Sequence, residues 1–270
     1  MQKIKAKFSL ILVVLVAVGL MTGCAYTTKD LNEQSVLAVN WVQASAEYRA
    51  LGYQSFNLAK MNIDAFLADY SGSKPVAIIV DADETIIDNS AYQAWLIGKD
   101  FGYSSKTWTP WMAAAEAKAV PGAVEFLNYA MGKGVEVFYV TNRKMVGYEG
   151  TEKNLKALGF PYVDKKHLLL RTDTSNKQPR RDMVAKDYEI AFLMGDNLND
   201  FLGVFAKKSV ADRAAEVDKI NDMWGTKFIM LPNPTYGDWE GAIYSGNFGA
   251  SAAEKDKMRK DHLEVWDYKP

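Results

Sequence analysis

The sequence predicts a doubly wound α/β fold, a mostly parallel Rossmann-like sheet with a smaller helical cap, and three observations carry that prediction. Short continuous apolar runs recur along the 270 residues, each ends in a polar cluster, and helical patterns lie between them. Pro75-Val76-Ala77-Ile78-Ile79-Val80 leads into Asp81, residues 135–140 into Thr141-Asn142-Arg143, and residues 190–194 into Gly195-Asp196-Asn197. Two further runs, 167–171 and 227–231, end at Thr172-Asp173 and Pro232-Asn233. Short apolar runs without polar alternation fit strands buried on both faces. Their alternation with helical stretches such as 122–133 and 151–158 fits a parallel sheet. Such sheets bind ligands beyond the carboxyl ends of their strands, so the polar clusters are expected to converge there.

The remaining segments fall around this sheet. Residues 34–70 read as one helical stretch with Val36, Val39, Val42, Tyr48, Ala50, Leu51, Leu58 and Met61 approximating its apolar face, and Ser71-Gly72-Ser73 ends it. Residues 91–120, rich in Trp, Tyr, Ser and Gly, read as an insertion beside the site. The charged segment 252–270 reads as a surface helix whose Trp266 and Tyr268 pack back onto the body. The domain is therefore set at 34–270, with cap elements at about 34–70 and 91–120 and in the C-terminal segment.

The formal charge of −1 gives no basic footprint, which excludes long nucleic acid as a partner. The two histidines, His167 and His262, supply neither a histidine-phosphatase motif nor a zinc site.

Lys3, Lys5 and Lys7 precede an apolar run from Phe8 to Leu20, the pattern of a secretory signal over residues 1–23. The run is shorter than the roughly 20 residues that span a bilayer. It ends in Leu20-Met21-Thr22-Gly23-Cys24, which resembles a bacterial lipobox, with Met21 departing from the usual Leu. Cys24 is the only cysteine, so no intrachain disulfide can form, and lipid attachment gives this residue a use. A lipidated tether is expected over residues 24–33, holding the protein to the membrane of a bacterial cell envelope. Ala25 in place of Asp favours the outer membrane, by resemblance to Gram-negative lipoproteins.

The chemistry centres on Asp81-Ala82-Asp83-Glu84-Thr85. Two carboxylates at the end of a buried strand repel unless a cation or a shared proton separates their roles. Hard oxygen donors suit Mg²⁺, which takes few protein carboxylates and fills its shell with water and phosphate oxygens. One carboxylate can then attack phosphorus while the other hands a proton to the leaving oxygen. In Gly195-Asp196-Asn197-Leu198-Asn199-Asp200, a helix starting after the strand would place Asp196 and Asp200 on one face, four residues apart. Thr141 and Asn142 offer donors to phosphoryl oxygens, with Arg143 a further one, and Lys177 offers a balancing cation.

These four elements, in this order, resemble those of the haloacid dehalogenase superfamily. More narrowly, residues 81–92 and 194–201 resemble the paired signature of class C acid phosphatases, the bacterial 5′-nucleotidases of the lipoprotein e family. The resemblance extends through Ala119-Val120-Pro121-Gly122-Ala123 and Tyr139-Val140-Thr141-Asn142-Arg143, and Ala82 departs from the bulkier Ile or Leu usual there. It implies a Mg²⁺-dependent phosphomonoesterase with Asp81 as nucleophile and Asp83 as general acid and then base, Asp83 also binding the metal through its backbone carbonyl. It implies further that Asp196 ligates the metal, that Asp200 orients a metal-bound water, that Thr141 and Asn142 hold the phosphoryl group, and that Lys177 pairs with Asp81. Trp108 and Tyr236, in contexts that read as loops, are candidates to clamp a nucleobase of NMN or AMP between aromatic faces. Two other readings stay open: a phosphatase for sugar phosphates or other non-nucleotide monoesters, and a surface lipoprotein that binds or takes up a ligand such as haem. A homodimer is also left open.

Overall fold

The computed structural model describes residues 26–269. The expected signal segment and Cys24 lie outside the described residues. Seven strands are present among these: β1 (Val76–Val80), β2 (Ile87–Asp88), β3 (Lys118–Ala119), β4 (Glu136–Lys144), β5 (Leu168–Arg171), β6 (Glu189–Gly195) and β7 (Phe228–Met230). Five of them form one sheet in the order β5-β4-β1-β6-β7, every neighbouring pair parallel. The α/β class and all five expected strands are therefore present.

Strand β1 is buried at every position because both faces of the sheet are covered. On one face Ile78, Val80, Val137 and Tyr139 join Phe56, Ile63, Phe126 and Leu127 of helices Ala46–Asp69 and Ala123–Gly132. On the other, Ala77, Ile79, Phe138 and Val140 meet Val184 of helix Gln178–Asp187. The chain winds outward from β1 through β4 to β5 and then returns to β6 and β7. That reversal opens a crevice at the C-terminal end of β1, the place where such sheets bind ligands.

Several peripheral expectations are corrected. The stretch 34–70 is two helices, Val36–Ala44 and Ala46–Asp69, because extended Ser45 ends the first and caps the second through Tyr48 N–H at 3.0 Å. The buried stripe of the second helix is Tyr48, Gly52, Phe56, Ala59 and Ile63, while Leu51 and Met61 face outward. Residues 28–33, expected as tether, form a helix: Thr27 and Asp30 make a reciprocal cap and Leu31 is buried. Asn32 ties that helix to the carbonyls of Leu96, Lys99 and Phe101 at 2.8–3.2 Å. The C-terminal helix is Ala252–Asp261, but Trp266 and Tyr268 are 81% and 63% exposed instead of packing back on the body.

The insertion is helical. It leaves the body at β2 and returns at β3, which pair antiparallel, and between them lie helices Ser90–Leu96 and Ser105–Ala114. Its floor is helix Tyr148–Leu158, whose buried Asn154 binds both the N–H and the carbonyl of Ala117 at 3.1 and 2.9 Å. Gly150 permits the close approach: a Cβ there would meet the Met112 carbonyl oxygen at 2.1 Å. Gly150→Ala must push the two helices apart. Overpacking of this kind costs about 1–3 kcal/mol, so thermal unfolding is expected to shift down by about 3–10 °C; an unchanged midpoint would contradict this packing.

Candidate active site

Asp81 continues β1, and its N–H donates to the Met194 carbonyl at 2.9 Å, which fixes it between β1 and β6. The chain then turns sharply. The Ala82 carbonyl accepts the N–H groups of Ile86 and Ile87 at 3.0 Å, and Glu84 takes a left-handed conformation with φ 56°. Ala82 itself is fully buried in the main core, so its short side chain is a packing feature.

Asp81, Asp196 and Asp200 converge, each offering a carboxylate oxygen within 4.8 Å of the others. Asp196 and Asp200 do not share a helix face. Helix Leu198–Phe201 starts after Asp196, with Asn197 as its cap and the Asp200 carboxylate accepting the Asn197 N–H at 3.0 Å. They meet because Gly195 has no side chain: a Cβ there would lie 2.5 Å from that of Asp200. Asn233, just beyond β7, donates to Asp196 at 2.8 Å.

Lys177 caps helix Gln178–Asp187 and is buried instead of lying on a solvated loop. Its Nζ contacts Asp81 Oδ1 and lies 2.7 Å from Asp200 Oδ1. Burial works against its charge, but Asp200 and Asp81 outweigh burial and hold its pKa above the ordinary value. Asp81 is pushed up to about 7, chiefly by burial, with Lys177 opposing and Asp200 and Asp83 adding. Burial, with Asp200 and Asp81, likewise lifts Asp196 well above the usual carboxylate range. Three hard oxygen donors within one ion's reach, two of them raised by burial and mutual repulsion, suit a divalent cation, and these residues fit one.

Asp83 stands apart from that cluster. Its Oδ1 accepts from Asn89 Nδ2 and Arg143 Nε, both at 2.9 Å, and Arg143 Nη2 lies 2.8 Å away. Arg143, expected as a phosphate donor, is buried and committed to Asp83, Asn89 and Thr151. Thr141 is fully buried, its hydroxyl accepting the Arg143 N–H at 3.1 Å, whereas Asn142 is exposed and its Oδ1 accepts from Arg180 Nη2 at 2.8 Å.

Asp81, Asp83, Asn142, Lys177, Asp196, Asp200, Trp108 and Tyr236 all line a single cleft of about 810 Å³; Thr141 lies behind its wall. The aromatic candidates differ from the loop residues expected. Trp108 sits in helix Ser105–Ala114, buried edge-on against Tyr92 at 4.9 Å. The hydroxyl of half-buried Tyr236 donates to Glu84, whose carboxyl is pushed up to about 8 by burial and by Asp83. Sequence reasoning missed Asn89, Arg180 and Asn233, which orient the named residues, and Tyr103, a 61% exposed ring on the cleft wall. Tyr103 between Gly102 and Ser104 offered a signal, as did Asn89 inside the 81–92 signature and Asn233 at the end of the run 227–231; Arg180 offered none outside the fold.

Phosphatases of the haloacid dehalogenase (HAD) superfamily are the class that this sheet order and this carboxylate floor define. The chain belongs to the HAD superfamily, subfamily IIIB, the acid phosphatases, whose family profile matches residues 18–239. It is similar to the structure of the class C acid phosphatase from Bacillus anthracis, with 43% identity, a TM-score of 0.84, and coverage of 88% of this chain and 99% of that one. A structure of that enzyme with tungstate bound matches with the same values. Among curated proteins it is similar to the stem 31 kDa and stem 28 kDa glycoproteins of Glycine max, each 24% identical over 58% of this chain. The chain spans 58% of the length of those two relatives.

The raised Asp81 gives a pH test. Its folded value of about 7 exceeds the ordinary 3.8, so between those values the folded chain keeps a proton that the unfolded chain has lost. Stability of the metal-free protein therefore falls as pH rises through that window, and levels above it. Thermal midpoints measured from pH 4 to 8 in a chelator are expected to show this fall, and a saturating divalent cation to offset it increasingly at the upper end. A metal-free midpoint that climbs across the window would refute the burial of these carboxylates.

Proposed function

We propose that the protein is a Mg²⁺-dependent acid phosphatase that hydrolyses nucleoside monophosphates such as NMN and AMP through an aspartyl-phosphate intermediate, outside the cytoplasm. The observation that carries this reading is the buried Asp81 at the end of β1, bridged by Lys177 to Asp200 in a cleft with aromatic walls.

Asp81 attacks phosphorus and the ester oxygen departs with a proton from Asp83. Water then attacks the phosphoryl group, giving its proton to Asp83, and phosphate and free Asp81 result. Lys177 holds Asp81 at the attacking position and offsets the charge of the phosphoryl group. Asp81, Asp196 and Asp200 would hold Mg²⁺, Asp200 through a water, and the Asp83 carbonyl would add a further donor, both as the resemblance implies. When bound, such a cation would neutralise charge on the transferred group. Asn142, on the cleft wall, is assigned to the phosphoryl oxygens, whereas Thr141, buried behind the wall with its hydroxyl on the Arg143 N–H, braces the strand end beside it. The similar Bacillus anthracis enzyme has been solved with tungstate bound, and tungstate is a tetrahedral oxyanion like phosphate, which supports an oxyanion as the kind of ligand taken.

The walls support a planar leaving group. Tyr236, Trp108 and the exposed Tyr103 line the cleft, and an aromatic ring stacked on a base contributes about 1–3 kcal/mol. A panel of NMN, AMP, sugar phosphates and an aryl phosphate with Mg²⁺ is expected to favour the nucleotides. A flat profile sinks the base clamp and leaves a general phosphomonoesterase. Asp81→Asn is expected to lower phosphate release by at least about 10³-fold, as loss of a nucleophile does; unchanged release would remove Asp81 from that role.

The same proposal places the protein on the bacterial envelope through lipid on Cys24. Among the described residues no helix is long and apolar enough to cross a membrane. Cys24→Ala is expected to abolish incorporation of labelled fatty acid and to move the protein from the membrane pellet to the soluble fraction. Retention in the pellet with undiminished labelling would exclude this anchor.

A further inference from the structure

Asn89 is fully buried beneath Asp83, and all the hydrogen-bonding capacity of its side-chain amide is used. Nδ2 donates to Asp83 Oδ1 at 2.9 Å and to Glu84 Oε2 at 3.2 Å. Oδ1 accepts from Trp111 Nε1 at 2.8 Å and from Arg143 Nη2 at 3.0 Å. The indole N–H and the guanidinium can only donate. A reversed amide would therefore turn its own N–H donors onto those two donors. Trp111 and Arg143 together decide which end of Asn89 meets Asp83.

The consequence falls on one oxygen. Asp83 Oδ1 carries Asn89 and both Arg143 donors, while Oδ2 has no protein partner among the described residues and Asp83 lines the cleft. Oδ2 is thus the oxygen left to exchange a proton with the ester. Trp111 belongs to the insertion helix Ser105–Ala114, which also carries Trp108, and the Arg143 guanidinium lies 5.5 Å from the centre of the Trp108 ring. The insertion touches the acid's supports at two points.

We propose that Trp111 is a positioning residue for the proton transfer by Asp83, acting through Asn89, so that the insertion that walls the cleft also orients the acid. The inference rests on Asp83 being the proton donor, as assigned above. It makes a distinction that a merely structural tryptophan would not make. An alkoxide needs the proton in order to leave, whereas 4-nitrophenolate departs without it, so a misaligned acid slows alkyl esters selectively.

The test compares kcat/KM, which includes departure of the leaving group, for glycerol 2-phosphate and 4-nitrophenyl phosphate. Trp111→Phe keeps a ring and deletes the N–H. It is expected to lower the alkyl ester about tenfold and the aryl ester less than about twofold, within the roughly 10²–10⁴-fold that a general acid supplies. Asp83→Asn sets the ceiling of the same asymmetry. Trp111→His, whose Nε2–H sits at the same bond distance from Cβ as the indole N–H, is expected to restore most of the alkyl rate. Asn89→Ser cuts the link from its other side, is expected to give the same asymmetric loss, and stands in if the Phe variant does not fold. Equal losses on both esters in Trp111→Phe or Asn89→Ser, beside unequal losses in Asp83→Asn, overturn the coupling alone. Equal losses in Asp83→Asn overturn the acid assignment, and the coupling falls with it.

Discussion

The contact of Lys177 with Asp81 and Asp200 is the constraint on which the site depends. Three carboxylates drawn from two separate segments lie within one ion's reach of each other. In a buried setting their mutual repulsion would push the strand ends apart or leave them protonated. One ammonium, itself buried, offsets part of that charge and stays ionised because two carboxylates surround it. The remaining excess negative charge is what a cation and a phosphoryl group would settle between them.

The fold delivers these groups with little freedom. Strand β1 lies at the centre of a sheet covered on both faces, and β4 and β6 flank it, so Asp81, Thr141 and Asp196 emerge side by side. Two small residues admit the rest: Gly195 makes room for Asp200, and Gly150 lets the insertion settle on its supporting helix. The acid Asp83 is held by a separate network, so the nucleophile and the proton donor answer to different neighbours. That separation allows two carboxylates two residues apart to have opposite duties.

Much of this was legible in the sequence because it rested on local pattern. A strand buried on both faces writes itself as an unbroken apolar run, and the residue after it marks the site; Asp81, Thr141 and Asp196 were found this way. Lys177 read as a balancing cation in a polar stretch and the resemblance paired it with Asp81, but its burial became visible only when the fold closed over it. What stayed hidden depended on contacts between distant segments. Arg143 reads as a free cation beside a phosphate site, and only the fold shows its donors committed to Asp83 and Thr151. Asn89, Arg180 and Asn233 carry no periodic signature, since their partners lie 6, 38 and 37 positions away. Trp108 read as exposed because its segment lacks strand pattern, but a cap that packs on itself buries its largest ring. The tether reading failed at residues 28–33 for a similar reason: one buried leucine and a reciprocal cap suffice to dock a short polar helix.

That docked helix limits how the protein can stand on a membrane. On the anchoring proposed above, the chain from Cys24 to Tyr26 spans at most about 7 Å, and from Thr28 onward it is already part of the folded body. Thr28, Leu31, Asn32 and Ser35 also form one wall of the cleft. On that proposal, so short a leash would leave the enzyme little radius in which to swing. Its mouth would keep a fixed height above the lipid, so traffic of substrate and product would run along the bilayer surface, and a charged headgroup layer would belong to the kinetics as much as the protein's own walls.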